Sequence, residues 1–292
     1  MNRYLATLSL AVLTSSGVRA QLPNYLDIFI VKVKPEKRVE FDAISRKMAD
    51  ANRKAKGDSW LAMQTEYGEN NTVYFVSQRD SFAGIEQGFA AFEKAVNEIY
   101  GPGSAKKLET DFMATTVEAR SEFRRRRWDL SINAPKDAEA YTKLVGEARW
   151  LRMRRIRIRT GHGSQFEEQI KQVKSVLEEK MPSWTILVSQ SVAGEPEGTY
   201  YLTTLHSSLS AVDSAPNMQK LMGDEVFSEW EKKGSETVTS NEVTLHRFLP
   251  EISNPPEAVA KVAANFWMPK PLIAARPKSV AMAKSTQEKS NQ

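Results

Sequence analysis

The sequence predicts an α+β protein in which two copies of one β-α-β-β-α-β module pair into a single intramolecular α/β barrel. Three observations support this. Segments near residues 26 and 151 resemble each other, the same order of strands and helices follows each segment, and one such module alone leaves an apolar sheet face uncovered. The chain has 292 residues, of which 41% are hydrophobic and 9% aromatic. That composition can build real cores and excludes wholesale disorder.

The internal repeat consists of four matches in the same order. Leu26–Phe41 aligns with Leu151–Phe166 without a gap, at an offset of 125 residues. Three shorter matches follow at offsets of 124, 126 and 120: 59–60 with 183–184, 73–76 with 199–202, and 122–128 with 242–248. Small drifts in offset are what insertions and deletions in loops produce, so the pattern indicates a duplicated module.

Each element of the first copy has a local signal. Residues 28–34 are rich in β-branched side chains and predict a strand, and Pro35 suits the first turn of the following helix. Phe41, Ile44 and Met48 recur at helical spacing. The remaining elements are predicted as a hairpin of 59–65 and 72–78, helical sequence at 82–99 and 104–119, and a closing strand at 123–130.

The second copy repeats this order, with a helix carrying Phe166, Ile170 and Leu177. Its later elements are predicted as strands at 183–189 and 199–205, shorter helices at 209–222 and 225–234, and a closing strand at 241–249. The order β-α-β-β-α-β is that of the ferredoxin-like module. Two copies meeting face to face resemble the dimeric α/β-barrel superfamily, here as a tandem pseudo-dimer.

That superfamily includes NIPSNAP-like proteins, stress-responsive barrel proteins, cofactor-free monooxygenases and haem-dependent chlorite dismutases. The resemblance covers about residues 26–249. It rests on element order and on the repeat, so it implies a fold and no particular activity.

The chain divides into five predicted segments: a signal peptide at 1–20, the first repeat at 21–130, a connector at 131–149, the second repeat at 150–250, and a basic tail at 251–292. Residues 1–20 begin with Arg3, continue with an apolar stretch over 4–13 and end with small residues at Val18 and Ala20, which predicts export to the periplasm or the cell exterior. The tail is rich in Pro and Lys and is expected to be largely disordered, while a short helix at 257–266 and docking of Trp267 and Met268 on the body or on a partner stay open as alternatives.

Composition excludes several classes of function. The absence of Cys rules out a disulfide framework, thiolate metal sites, a cysteine nucleophile and covalent c-type haem attachment. Three His argue against a multi-histidine metal centre, and we expect no metal. Removing Arg3 and Arg19 lowers the formal net charge from +5 to +3, too mild to predict nucleic-acid binding. We expect no membrane span after signal removal, and a monomer or weak homo-oligomer.

Alternation along the strands predicts which side chains face the space between the sheets. Val31, Val33, Ile156 and Ile158 are expected under the helices, as are Val243 and Leu245. The inward set then combines cations and aromatic residues with a few acids, Glu122 and Glu242, which could pair with some of the cations. A bound anion could neutralise the rest, so the set predicts a pocket for a small anionic or aromatic ligand. The predicted ligand-binding residues are Lys32, Arg124, Arg126, Trp128, Arg155, Arg157 and Phe248.

A structural explanation of the same arginines stays open. Charged strands also occur at sheet edges, where they block aggregation, and Arg can lay its stem on apolar surface with its head in water. Four consecutive arginines, Arg124–Arg127, place two on each face, so one pair must lie outside any pocket.

Three functions are carried forward. The first is a ligand-binding barrel of uncharacterised role. The second is an enzyme resembling the cofactor-free monooxygenases, in which His246 removes a proton from a phenolic or aromatic substrate. The third is a structural or interaction protein acting through its C-terminal tail.

We expect no cofactor. For haem, an axial histidine is needed, and nothing in the spacing of His162, His206 and His246 selects one.

Overall fold

A closed barrel of eight antiparallel strands is the centre of the protein. The computed structural model describes residues 22–268. The strands are β1 (Tyr25–Val33), β2 (Leu61–Tyr67), β3 (Thr72–Arg79), β4 (Thr116–Arg126), β5 (Trp150–Ile158), β6 (Leu187–Ala193), β7 (Thr199–His206) and β8 (Val238–Phe248). The helices are α1 (Arg38–Ala55), α2 (Ala83–Tyr100), α3 (Pro102–Ala114), α4 (Ala138–Glu147), α5 (Gly163–Lys180), α6 (Met218–Met222), α7 (Asp224–Thr237), α8 (Glu257–Val262) and α9 (Ala264–Trp267).

The two halves of the chain contribute the same strand order. The barrel runs β1-β3-β2-β8-β5-β7-β6-β4 and closes on β1, so β2-β3-β1-β4 comes from the first half and β6-β7-β5-β8 from the second. The halves join along two seams, β2 with β8 and β4 with β6. Each half therefore supplies the partners for both sheet edges of the other, which removes all four edges.

Strand registers are also equivalent in the two halves. Ile30 lies opposite Tyr74 on β3, and Arg155, which is 125 residues further along the chain, lies opposite Tyr201 on β7. Likewise Ile28 pairs with Glu122 on β4 in the first half, and Met153, again 125 residues further along, pairs with Thr244 on β8 in the second. The predicted mixed α/β class and barrel are thus confirmed, with one continuous barrel wall built from both halves.

Alternating side chains divide the barrel interior from the helix-covered outside, as predicted. Val31 and Val33 point outward and pack with Phe41 of α1. On the second half Ile156 and Ile158 pack outward against α5. The inward residues form a separate core: Leu26, Ile28, Ile30, Leu61, Met63, Tyr74, Leu151, Met153, Leu187, Tyr201 and Phe248 belong to it.

One end of the barrel is closed by α4, α8 and α9. Trp267 of α9 is fully buried, and its indole N–H donates to the carbonyl of Gly146 at 2.8 Å. Its ring packs edge-on against Phe248, with centroids 5.5 Å apart. Residues 250–268 are therefore folded against the barrel, whereas the tail at 251–292 was expected to be largely disordered. The difference arises because apolar side chains of this segment complete the core.

Further differences concern element ends. β4 begins at Thr116, whereas the expected helix extended to 119 and the strand began at 123. Val243 lies on the outward face as predicted but is 44% exposed, so its expected burial under the helices is wrong. The predicted signal peptide at 1–20 and positions 269–292 of the tail lie outside the described residues. No helix within residues 22–268 is long and apolar enough to cross a membrane.

Candidate functional site

The end of the barrel opposite α4, α8 and α9 contains a pocket of about 370 Å³, which we call the mouth pocket. Its rim includes the β2–β3 turn, and its walls come from both halves of the barrel. The residues lining it are Gly68, Glu69, Tyr74, Arg120, Glu122, Arg124, Met153, Arg155, Tyr201, Glu242, Val243 and Thr244.

A buried ion pair lies at the base of the mouth pocket. Glu122 and Arg124 are 2% and 4% exposed and point inward from the same face of β4. Arg124 donates to the Glu122 carboxylate from Nε at 2.9 Å and from Nη2 at 2.5 Å. The Tyr201 hydroxyl donates to the same carboxylate at 2.9 Å, and the Arg124 guanidinium lies 3.4 Å from the Tyr201 ring centroid. One carboxylate, one guanidinium and one phenol thus satisfy each other.

The protonation states follow from this packing. Burial raises the pKa of the Glu122 carboxyl, but Arg124, the Tyr201 hydroxyl and Arg120 outweigh it and hold that pKa below its ordinary value. Burial raises the pKa of the Tyr201 phenol, so this group keeps its proton and remains a donor. The base of the pocket is therefore a fixed carboxylate held by cations at neutral pH.

A second carboxylate bridges the arginines nearer the rim. Glu195, in the β6–β7 turn, accepts from Arg155 at 3.0 Å and from Arg157 at 2.8 Å, and it lies 4.0 Å from Arg120. Arg155 also donates to Glu242 at 2.6 Å, and this hydrogen bond lowers the Glu242 pKa. Because Glu242 is half exposed, it is the most accessible carboxylate held by Arg155.

His246 occupies the barrel interior below the mouth pocket and is fully buried. Its Nδ1 lies 3.2 Å from the Thr65 hydroxyl and its Nε2 lies 2.7 Å from the Thr244 hydroxyl. The ring packs edge-on against Tyr74 at 4.9 Å. Burial, with a smaller contribution from the Arg124 charge, lowers the His246 pKa to about 3. The imidazole is therefore neutral at ordinary pH, with both nitrogens engaged.

The predicted ligand-binding residues separate into two groups. Arg124 and Arg155 line the mouth pocket, and Arg157 joins them through Glu195. Lys32 lies on the outer rim, exposed and paired with Glu69 at 2.7 Å. Three others lie towards the closed end: Arg126 and Trp128 beside Tyr141 of α4, and Phe248 against Trp267.

Sequence reasoning missed four residues of this site, namely Tyr74, Arg120, Tyr201 and Glu195. The two tyrosines hold equivalent positions in the two halves, opposite Ile30 and Arg155. The match of 73–76 with 199–202 was one residue out of register, so it aligned Tyr74 with Tyr200 instead of Tyr201, and no inward face was predicted for these strands. Arg120 was placed at the end of a helix, and Glu195 lies in a turn, where alternation gives no signal.

Comparisons with known proteins were made for the whole sequence and for the fold. No protein-family model matches the chain, and no curated protein matches it. Similar solved structures include a candidate monooxygenase from Lactobacillus acidophilus NCFM, with 10% identity, a TM-score of 0.47, and 78% of this chain and 94% of that chain covered.

Two further similar structures have other names. One is an anthrone oxidase-like protein, with 11% identity, a TM-score of 0.48, and 80% of this chain and 94% of that chain covered. The other is a haem-binding protein from Thermus thermophilus, with 10% identity, a TM-score of 0.46, and the same two coverages. At these values the names transfer no activity to this chain. The fold-level resemblance predicted from the sequence is confirmed by the closed barrel itself.

The fit of a haem or a metal ion was tested against the residues present. Haem iron needs an axial ligand such as His, and no histidine lines the mouth pocket. His246 has both ring nitrogens within hydrogen-bond distance of threonine hydroxyls, and His206 Nε2 lies 2.7 Å from Thr204 Oγ1. Within residues 22–268 no group of three or more His, Asp or Glu side chains could hold a metal ion. The lining of the mouth pocket therefore does not fit a histidine-ligated haem or a metal ion.

Proposed function

We propose that this protein is a ligand-binding barrel whose mouth pocket takes a small organic anion with an apolar or aromatic body. The observation that carries the proposal is the position of Arg155, which faces the pocket and is held by the accessible carboxylate of Glu242. A ligand carboxylate can replace Glu242 on this guanidinium, because Arg binds carboxylates in two parallel hydrogen bonds. Glu242 can then turn to solvent at little cost.

The rest of the pocket suits the body of such a ligand. Tyr74, Tyr201 and Met153 provide apolar and aromatic surface below Arg155. The volume of about 370 Å³ is at the small end of the range for small-molecule pockets, which favours a compact ligand of roughly one ring. The buried Glu122–Arg124 pair is already neutralised and serves as a rigid base.

Binding is tested with benzoate and salicylate as carboxylate probes and benzyl alcohol as the neutral probe. We expect both carboxylates, and not the alcohol, to raise the melting temperature and to give a saturable heat of binding. Arg155→Gln should weaken benzoate binding by about tenfold or more. Arg152→Gln, which removes an outward arginine from the same strand, should bind like the wild type. Equal binding by the two variants, or no binding of any carboxylate, would refute the proposal.

The contacts of His246 do not favour the oxygenase alternative. A general base must have a free nitrogen near the substrate and a pKa near the working pH. Both nitrogens of His246 lie beside threonine hydroxyls, and its pKa is lowered to about 3. These properties support a structural role at the base of the pocket.

Two further proposals rest on the sequence pattern. We propose that each half is a ferredoxin-like repeat produced by duplication, supported by the equal strand order and register of the halves. We also propose export, supported by residues 1–20 alone. Mass spectrometry of the protein from its native host would show a mature chain beginning at Gln21 if export is correct, and an uncut chain if it is not.

A further inference from the structure

Four polar side chains with unused hydrogen-bond donors lie together towards the closed end of the barrel. We call them the closed-end donors: Arg126, Trp128, Tyr141 and Ser189. Within residues 22–268 the buried atoms Nε and Nη1 of Arg126, Nε1 of Trp128 and Oγ of Ser189 have no hydrogen-bond partner. The large majority of buried polar atoms in proteins are paired, so a group of four unpaired ones in one place needs an explanation.

These side chains are neighbours. Ser189 lies directly opposite Arg126 across the β4–β6 seam, on the same inward face, and it is 1% exposed. The Arg126 guanidinium carbon lies 5.8 Å from the Trp128 ring centroid, and its Nη2 donates to the Tyr141 hydroxyl at 3.4 Å. Gln78 donates to the same hydroxyl oxygen at 3.1 Å. The Tyr141 oxygen accepts both of these hydrogen bonds, so its own O–H is available to donate to a further acceptor.

Charge distinguishes Arg126 from the other inward arginines. Arg120, Arg124, Arg155 and Arg157 each have a carboxylate within 4.0 Å. In the described part of the chain Arg126 forms no such ion pair, although two of its three guanidinium nitrogens are buried. A largely buried cation without a counter-charge is costly, and the one hydrogen bond that Arg126 donates here, to the neutral Tyr141 hydroxyl, does not compensate the charge. Water can satisfy part of this set, but a water molecule leaves the charge uncompensated.

We propose that the closed-end donors bind a small monovalent anion, with Arg126 as the counter-charge and Ser189, Trp128 and Tyr141 as additional donors. This site is separate from the mouth pocket: α4 supplies Tyr141, and the anion joins β4 of the first half to β6 of the second. The bound anion compensates Arg126, which the carboxylates of the mouth pocket do not reach. It therefore acts as a structural element of the β4–β6 seam.

The experiment uses the full chain dialysed into sodium HEPES, whose sulfonate is too bulky for the site. Chloride, nitrate and formate are added separately at constant ionic strength, with additional sodium HEPES as the control salt. We expect at least one of the three anions to change tryptophan fluorescence along a saturable curve and to raise the melting temperature in step with occupancy. Trp128→Phe should remove most of the fluorescence change, because its indole contacts the anion.

Matched variants identify the site. Arg126→Gln should abolish the saturable response, whereas Arg125→Gln, which removes an exposed outward arginine one residue away, should keep it. Ser189→Ala retains the charge and should weaken the anion affinity about tenfold, which keeps the test valid if Arg126→Gln fails to fold. Arg155→Gln should leave this titration unchanged, so failure at the mouth pocket and failure here are distinguishable. A wild-type response no different from that in sodium HEPES, or equal responses of the Arg125 and Arg126 variants, would overturn the proposal.

Discussion

Acidification should destabilise this protein through His246. The imidazole is fully buried between two threonine hydroxyls, and burial lowers its pKa from 6.5 to about 3. The unfolded chain therefore binds a proton on this residue at a pH where the folded chain does not. Because the folded pKa is the lower one, the stability contributed by neutral His246 is complete above pH 6.5 and is lost as the pH falls towards about 3.

The size of the effect follows from the shift. One pKa unit corresponds to about 1.4 kcal/mol, so the step from 6.5 down to about pH 5 removes roughly 2 kcal/mol from the free energy of unfolding. The complete shift, reached below about pH 3, corresponds to roughly 4–5 kcal/mol. The first figure is a large fraction of the stability of an ordinary domain.

Urea unfolding at about pH 7.5 and about pH 5 measures this loss in the wild type and in His246→Gln. Carboxylates titrate in both proteins, so the comparison isolates the imidazole. We expect the wild type to lose about 2 kcal/mol more than His246→Gln between the two pH values. His162→Gln, changed in the turn before α5, should lose as much as the wild type. Equal losses in the wild type and His246→Gln would refute the reasoning.

Three further predictions concern stability and are all measured by chemical or thermal unfolding. Glu195→Gln should lower the free energy of unfolding by about 2 kcal/mol, because it leaves Arg155 and Arg157 without their shared carboxylate. Glu69→Gln, in an exposed ion pair, should lower it by under about 1 kcal/mol. Equal losses in the two variants would contradict the role given to Glu195. Trp267→Ala should cost about 3–5 kcal/mol because it empties a fully buried site, and a loss under about 1 kcal/mol would show that α9 does not cap the barrel. Gly194→Ala should destabilise the protein more than Gly101→Ala. Both glycines have positive φ, but a Cβ at Gly194 would lie 2.2 Å from a backbone oxygen, whereas one at Gly101 would meet nothing within 4 Å. Similar losses of stability in the two variants would refute the clash.

Alternation made the inward and outward faces predictable even where the alignment of the repeats was inaccurate. The sequence match paired Glu122 with Glu242, whereas the strand registers make Glu122 equivalent to Thr244, two residues further on. An error of two residues preserves the face of every side chain, so Arg124 and His246 were still placed inside. No inward face was predicted for β3 and β7, and the match there was one residue out of register, aligning Tyr74 with Tyr200 instead of Tyr201, so the pocket tyrosines were missed.

Other parts of the site depended on contacts between segments that are distant in sequence. Alternation placed Arg124 and Arg126 on one face but contains no information on height along the barrel axis, which divides them between the mouth and the closed end. The sequence offered docking of Trp267 on the body of the protein as one alternative, but it favoured a disordered end. A Pro-rich, basic sequence favours disorder by composition, and only the apolar end of the finished barrel gives this tryptophan a place to pack.

The seam between β2 and β8 also has a consequence for synthesis of the chain. Thr65 and His246 face each other across this seam but are 181 residues apart. At ordinary translation speeds the ribosome takes about 10–35 seconds to cover that distance. During this interval β2 has no partner from the second half, and β4, once made, has none until β6 follows. We therefore expect the yield of folded protein to depend on how well these edge strands are protected during synthesis, as well as on the final stability of the barrel.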